Sequence, residues 1–456
     1  MFVFSLNFAL DPDMYWHIKS GEWILQNGIP QQDTFSYWGG NFLAHEWLFD
    51  IILFPIYSAV GYVGLQLILF LTLGLTAYTS FYLAEKEQKS NLILYLIPFI
   101  LLYPFAGIIV PRPHMISTLA IMLEIYILEK EKTKLMWTLP LFTLLMANMH
   151  GGSVFIFIVI LAVYLADYIF SNIPNLNKKT VLRYIALLAI MTVTTVITPY
   201  GIDCVLYGSK ISQEVLQYIY EWHPIIQSSR DIPYLFLMIL PLACMAYTKD
   251  AKLKDILMLC MGMMLTFIWL RMIIIYVFIY AIYGTKYIHN TIKDILQKLN
   301  LPAINFKIKF PIAHVFIGVL IVLFGFNISN ISLEKMEKNS VIAPEIITNY
   351  IKENNIDIVN NVMFNHYNFG GYFVYHHPKV FIDGRADVYM KEFGSPDVFP
   401  DYNDILNLEP NAEELIKEYN IKYFAVYKGY DFYNYLLENG ATELISDEQY
   451  ALLEYK

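Results

Sequence analysis

Charge is what this 456-residue chain has least of. Asp, Glu, Lys and Arg make up 16% of it, against 57% hydrophobic residues. A soluble globular chain carries about 25% charged residues, so the composition points away from that class and towards a polytopic membrane protein. Cysteine is scarce as well. Cys204, Cys244 and Cys260 lie in or beside apolar segments without metal-type spacing, which argues against a disulfide framework or a zinc site. There is no basic surplus either: the net charge is -9, and an acidic chain has no electrostatic footprint for nucleic acid. The apolar start lacks a basic n-region and a small-residue cleavage site, so no cleavable signal peptide is expected.

What is present is a series of apolar stretches at 64-84, 92-110, 114-129, 135-149, 152-170, 183-199, 233-248, 254-270, 271-285 and 312-328. Crossing about 30 Å of hydrocarbon takes about 20 residues, with shorter runs at the margin. The expected fold is therefore mostly α: a polytopic transmembrane helical bundle of about 10-11 spans over residues 1-330, with an external loop at 11-62. Met1-Leu10 is also apolar, yet ten helical residues rise only about 15 Å, half of what a span needs, so the expectation is either a truncated first span or a segment that only dips into the membrane. From about Ile331 the long apolar runs stop and acidic residues outnumber basic ones about two to one. Residues 331-456 read as a small soluble α/β domain, with helices at 345-354, 411-419 and 430-439 and strands at 358-364, 379-383 and 421-427.

Lysine placement sets the orientation. If the 11-62 loop faces outward, the inward loops or their edges carry Lys86, Lys89, Lys130, Lys132, Lys134, Lys178, Lys179, Lys249, Lys252, Lys254, Lys286 and Lys293, among others, whereas the other face has only Lys19, Arg112, Lys210, Arg230 and Arg271. Short cytoplasmic loops are enriched in Lys and Arg, so the first loop and the C-terminal domain are expected outside the cytoplasmic membrane.

The 11-62 loop opens with Asp11-Pro-Asp-Met-Tyr-Trp-His17. Asp11 before Pro12 is an N-cap followed by proline at the first helical position, so a helix is expected from there to about Leu25. Asp13 and His17, four residues apart, share a face and could meet on one metal ion or substrate group. The plainer reading is that both aspartates only cap the helix and favour its dipole. A second helix is expected from about Ala44, carrying Glu46 and Asp50 and rich in aromatic and aliphatic residues, as suits the membrane interface. No ligand spacing here is diagnostic of a metal, so dependence on a divalent cation such as Mg or Mn stays open.

These segments also carry a resemblance. Asp11-Pro-Asp-x-Tyr-Trp-His17, Gly28-Ile-Pro30, Asp33-Thr-Phe-Ser36 and His45-Glu-Trp-Leu48 are followed by Arg112-Pro-His114, Asn148-Met-His-Gly-Gly152, Pro199-Tyr-Gly201, Glu221-Trp-His-Pro224, Asn368-Phe-Gly-Gly-Tyr372 and Phe381-Ile-Asp-Gly-Arg385. Together they resemble a bacterial branch of the GT-C class of membrane glycosyltransferases. The resemblance implies a sugar donor carried on polyprenyl phosphate and an envelope glycan, lipid or protein acceptor. By motif position it makes Asp11 and Asp13 the catalytic candidates, with His17, His45 and Glu46 in support, and brings His114 into the substrate site.

Such a reaction needs a carboxylate to take the acceptor's proton and positive charge to meet the departing phosphate. Arg112, Arg230 and Arg271, at expected outer ends of spans, could supply the charge, since guanidinium binds phosphate through two parallel hydrogen bonds. Snorkelling or helix capping would also explain them. His150, before the Gly151-Gly152 pair, is either a tight turn that lets backbone approach a neighbour or a wall of the same cavity. Glu221 and His223 lie on another external loop. Asp383 and Arg385 follow an apolar run and would sit at the carboxyl end of a strand, where α/β folds bind ligands, although a structural pair in a tight turn fits equally well. A transporter or flippase of lipid-linked glycans, and a non-catalytic glycan-assembly protein, are the competing readings. Polar motifs gathered on one face, with few ionisable groups in the spans, favour surface chemistry over passage.

Overall fold

The computed structural model describes residues 11-88, 94-95, 97-131, 133-210, 219-227, 231-302, 342-394 and 396-455. Arg230, Lys89, Lys132, the apolar start at 1-10 and the run 312-328 lie outside the described residues. The fold is mostly helical and ends in a small sheet. It divides into two compact units. One gathers the described residues of Gln66-Val205 and Ile219-Ser329; the other gathers those of Ala9-Leu65, Leu206-Tyr218 and Asn330-Lys456.

Among the described residues, three helices are long and apolar enough to cross a membrane: Tyr62-Ala84, whose first four residues group with the other unit, Gly151-Asn172 and Leu270-Lys298. The bundle of about 10-11 spans is thus matched by three among the described residues, and the reason is local. Helices Pro113-Glu129, Lys178-Thr194 and Leu253-Ile268 have 17, 17 and 16 residues, roughly 25 Å at 1.5 Å per residue. The run 135-149 is divided between the short helix Thr133-Met136 and an 11-residue helix, Leu139-Met149. The stretch 92-110 becomes the tight 3-10 run Pro98-Ile108, kinked at Phe105 just after Pro104. Residues 271-285 do not end at 285. A π-helical turn at Tyr280-Gly284 carries them into Thr285-Lys298. On Tyr62-Gln88, Val63, Leu67, Leu71 and Leu75 are exposed four residues apart, an apolar stripe suited to lipid.

The second unit joins the first loop to the C-terminal residues. Helices α1 (Pro12-Asn27) and α2 (Trp47-Val60) pack together, with the carbonyl of Asp50 2.1 Å from where a Cβ on Gly21 would lie. Only glycine permits that approach. Strands β1 (Val362-Asn365), β2 (Ile421-Tyr427), β3 (Thr442-Ser446) and β4 (Tyr450-Glu454) form a sheet in the order β1-β2-β4-β3. The β1-β2 pair is parallel, and the other two are antiparallel. Residues 379-383, expected as a strand, form only a single bridge between Val380 and Ser36 of the first loop. Asp383 therefore does not close a strand. Instead the 28-46 loop is tied onto this segment: Val380 N donates to Phe35 O, Tyr37 N to Val380 O, and Trp38 Nε1 to Phe381 O.

Two glycines bring α1 onto the C-terminal residues. A Cβ on Gly371 would lie 1.9 Å from the Pro12 carbonyl oxygen, and one on Gly384 would lie 1.8 Å from Asp13 Oδ1. The motifs around 11-17, 368-372 and 381-385 thus belong to one packed surface, although the sequence separates them by more than 350 residues.

Candidate functional site

In the second unit, Asp11 is the cap its position suggests. It is 3% exposed and its Oδ1 accepts from Asp13 N at 3.2 Å. His17 lies on the next turn, buried, with its ring stacked on Trp16 at 3.7 Å between centroids. Its Nδ1 is 2.6 Å from Asp50 Oδ1, and its Nε2 is 3.6 Å from Glu46 Oε2. α2 and its N-cap residue thus bring two carboxylates to the two ring nitrogens of His17. Glu46 is the N-cap residue of α2 and stays partly exposed, and its other oxygen lies 4.0 Å from His45 Nε2. His45 in turn lies over the Tyr207 ring at 4.4 Å. Tyr207 hydrogen-bonds the buried Asp387, on which His45 also acts electrostatically.

Two of these carboxyls are held above their ordinary range. Burial raises Asp50 strongly and Glu46 adds to it, while Arg385 opposes both. Burial also raises Asp387, against His45, the Tyr207 hydrogen bond and Arg385. Asp387 Oδ2 and Trp16 Nε1 are buried without a hydrogen-bond partner among the described residues.

Arg385 anchors the unit rather than waiting for a ligand. It is 2% exposed, and its Nη1 donates to Asp33 Oδ1 at 2.6 Å, its Nη2 to Asp383 Oδ2 at 2.6 Å and its Nε to Asp383 Oδ1 at 3.0 Å. Tyr389 Oη donates to the same Asp383 carboxylate at 2.7 Å. Burial would raise the Asp33 carboxyl, but Arg385, the Ser36 and Phe35 hydrogen bonds and the ion pair outweigh it and hold it below its ordinary value. Burial would likewise lower Arg385, and the two aspartates reverse that. Of the two readings of Asp383-Gly-Arg385, the structural pair is the one observed, and Asp33 completes it.

In the first unit, two guanidinium groups share one carboxylate. Arg112 Nη1 lies 3.3 Å and Arg271 Nη1 3.7 Å from Glu221 Oε1, and the Arg271 guanidinium lies 5.7 Å from the Trp222 ring centre. All three charged side chains are about a quarter exposed. Burial would raise Glu221, but Arg112, Arg271 and His114 bring it below the ordinary carboxylate value, so the cluster keeps a net positive charge. Arg271 Nε and Trp222 Nε1 are buried donors with no acceptor among the described residues. Buried donors normally have partners, so this pair is suited to an anion.

The other residues do more local work. His114 Nε2 contacts Ile108 O at 3.0 Å, and His150 Nδ1 contacts Ser117 Oγ at 2.9 Å. A Cβ on Gly151 or Gly152 would meet nothing within 4 Å, so the glycine pair serves a turn and not a close approach within the described residues. His223 presents its backbone carbonyl to Leu270 N at 2.8 Å, which ties the Glu221-Trp222 turn to the segment carrying Arg271.

Asp50, Asp387 and Tyr207 join the site without having been candidates in the sequence. Asp50 had a readable signal, a carboxylate on the first turn of an otherwise apolar helix. Asp387 and Tyr207 had none, since their juxtaposition depends on tertiary structure. Among the described residues, no group of three or more His, Cys, Asp or Glu side chains is arranged to hold a metal ion. No protein-family model matches this sequence, and no curated protein matches it.

Proposed function

We propose that this chain is a membrane glycosyltransferase that moves a sugar from a polyprenyl-phosphate-linked donor to an envelope glycan, lipid or protein acceptor on the outer face of the cytoplasmic membrane. The carrying observation is the Arg112-Glu221-Arg271 cluster, with two guanidiniums on one carboxylate and two buried donors left unfilled. A lipid phosphate would supply the missing acceptors. Three apolar helices of spanning length agree with a lipid-borne substrate, and the lysine distribution argues for an outward-facing first loop. The second unit offers partly exposed carboxylates, Asp13 and Glu46, for proton transfer from an acceptor.

A transporter reading has one observation in its favour. Glu124, in helix Pro113-Glu129, is fully buried and neither of its oxygens has a hydrogen-bond partner among the described residues. Intramembrane carboxyls are a mark of coupled transport. Glu124 stands alone, however, whereas the arginine cluster is assembled from three segments.

Binding of polyprenyl phosphate to the full chain in nanodiscs, followed by native mass spectrometry, tests the proposal. Wild type should retain the lipid, and Arg271→Ala should weaken retention at least tenfold, the loss of about 1.4 kcal/mol. Equal retention by wild type and by the Arg112→Ala, Arg271→Ala double variant would remove the phosphate site.

A further inference from the structure

One end of the C-terminal sheet collects aromatic and amide groups that neither cluster above uses. β1 and β2 are parallel, so their carboxyl ends lie side by side, and the register places Tyr427 at the end of β2 opposite Tyr450 at the start of β4. In α/β folds this is the end at which ligands bind. The chain leaves β1 through His366, whose N-H donates to Ala425 O at 3.0 Å and so holds the residue beside β2. Its ring stands 4.6 Å from the Tyr427 ring and 5.4 Å from Phe369, between centroids. Tyr430, just past β2, lies 5.6 Å from the Tyr427 ring and is 67% exposed.

The hydrogen bonds fix which atoms remain for a ligand. His366 Nδ1 accepts from Asn368 N at 3.2 Å, so the proton of the neutral ring sits on Nε2. Burial pushes the imidazole down to about 4, so the ring is neutral at physiological pH. Nε2 is then a donor without a partner among the described residues. Asn368 Nδ2 lies 3.5 Å from Tyr427 Oη, which leaves Oδ1 of the same amide as an acceptor. A donor and an acceptor two residues apart thus stand beside an exposed ring.

Charge narrows the class of ligand. Lys428, between the two tyrosines, donates to Ser446 Oγ at 2.6 Å, and Asp431 lies in the first turn of helix Asp431-Glu438, where it favours the helix dipole. The groups that face one another here, His366, Asn368, Phe369, Tyr427 and Tyr430, are all neutral, which suits neither a phosphate nor a cation. What fits is a neutral molecule with one apolar face and neighbouring hydroxyls that each donate and accept, as a pyranose has.

We propose that His366, Asn368, Tyr427 and Tyr430 bind a neutral sugar residue of the acceptor glycan, with the C-H face of the sugar on the Tyr430 ring and adjacent hydroxyls on His366 Nε2 and Asn368 Oδ1. The sugar site follows from the sheet end alone, whereas its assignment to the acceptor rests on the glycosyl-transfer reading. It narrows the acceptor to a glycan.

Two measurements on the full chain in nanodiscs test this. The first needs no donor: saturation-transfer difference NMR with maltotetraose, cellotetraose, mannotetraose and chitotetraose. At least one of them should receive saturation, and its Kd should rise about fivefold or more in Tyr430→Ala and in Asn368→Ala, the loss of a ring face or of one hydrogen bond. Tyr430→Phe keeps the ring and should bind as wild type does. No saturation of any of the four, or equal affinity in wild type and both alanine variants, would overturn the site. Saturation of choline but of no sugar, lost in Tyr430→Ala, would make the face a quaternary-ammonium cage and overturn it as well. The second measurement is transfer from a polyprenyl-phosphate-linked donor to a glycan acceptor. Tyr430→Ala should raise KM for the acceptor about fivefold, more than it lowers kcat. An unchanged KM would overturn the assignment to the acceptor. Sugar binding that depends on Tyr430, in a chain that transfers from no lipid-linked donor, would overturn the transferase reading and leave the sugar site standing.

Discussion

At the residue scale, the most consequential side chain of the second unit is Arg385. It is buried and shared between Asp33 and Asp383, and removing one partner of such an arrangement leaves uncompensated charge. Arg385→Met should cost about 3-5 kcal/mol of stability, measured by thermal or chemical denaturation in detergent. Stability within error of wild type would mean that the network is dispensable. The same network sets an acid limit. Asp33 has a carboxyl held below its ordinary value of 3.8, so its stabilising contribution is complete above that value and is lost as pH falls through the lower value of the folded state. Unfolding of wild type and Asp33→Asn followed against pH should show a gap at neutral pH that narrows below about pH 3.8. A gap that is constant with pH would assign the effect of the substitution to packing alone.

At the scale of elements, the question is what seats α1 on the C-terminal residues. Gly371 and Gly384 both face it, but they meet different atoms. Gly371 faces the Pro12 backbone carbonyl, which cannot turn away, so Gly371→Ala should destabilise by about 1-3 kcal/mol or more. Gly384 faces the Asp13 carboxylate, the far end of a side chain that can rotate. Gly384→Ala should therefore cost less stability than Gly371→Ala, and denaturation of the two variants side by side checks that order. The reverse order would mean that α1 is seated by other contacts.

Part of this was legible in the chain. Asp11-Pro12 announced the start of α1 because the capping signal is local, and Ile421-Tyr427 appeared as the strand its apolar run predicts. The helices at Glu345-Glu353, Ala412-Glu418 and Asp431-Glu438 fall where their amphipathic periods put them. Residues 379-383 misled because an apolar run reports burial and not pairing, and this one is covered by the 28-46 loop. The Asp33-Arg385 pair was not legible at all, since nothing local connects residues 352 positions apart. His17 was readable as a candidate, but the acids at its two nitrogens come from α2, and only the packing of α1 on α2 brings them there.

At the scale of the whole molecule, the sequence sets the first loop in one block with the membrane segments and treats the C-terminal residues as a separate domain. The structure instead groups the first loop with the C-terminal residues. Both parts of that unit should then lie on the same side of the membrane, as the lysine distribution independently suggests. A cysteine-free chain carrying Tyr430→Cys, at a position 67% exposed, should react with a membrane-impermeant maleimide in intact cells. Labelling only after lysis would place that unit in the cytoplasm and reverse the topology.

Sugar transfer itself is the most direct test of the account. The purified full chain in nanodiscs would be given a panel of polyprenyl-phosphate-linked sugars and envelope acceptors, with release of polyprenyl phosphate followed by mass spectrometry. Wild type should show acceptor-dependent release, with losses of about 100-fold or more in Glu46→Gln and in the Arg112→Ala, Arg271→Ala double variant. Release that is absent across the panel, or that persists unchanged in both variants, would contradict the transferase reading.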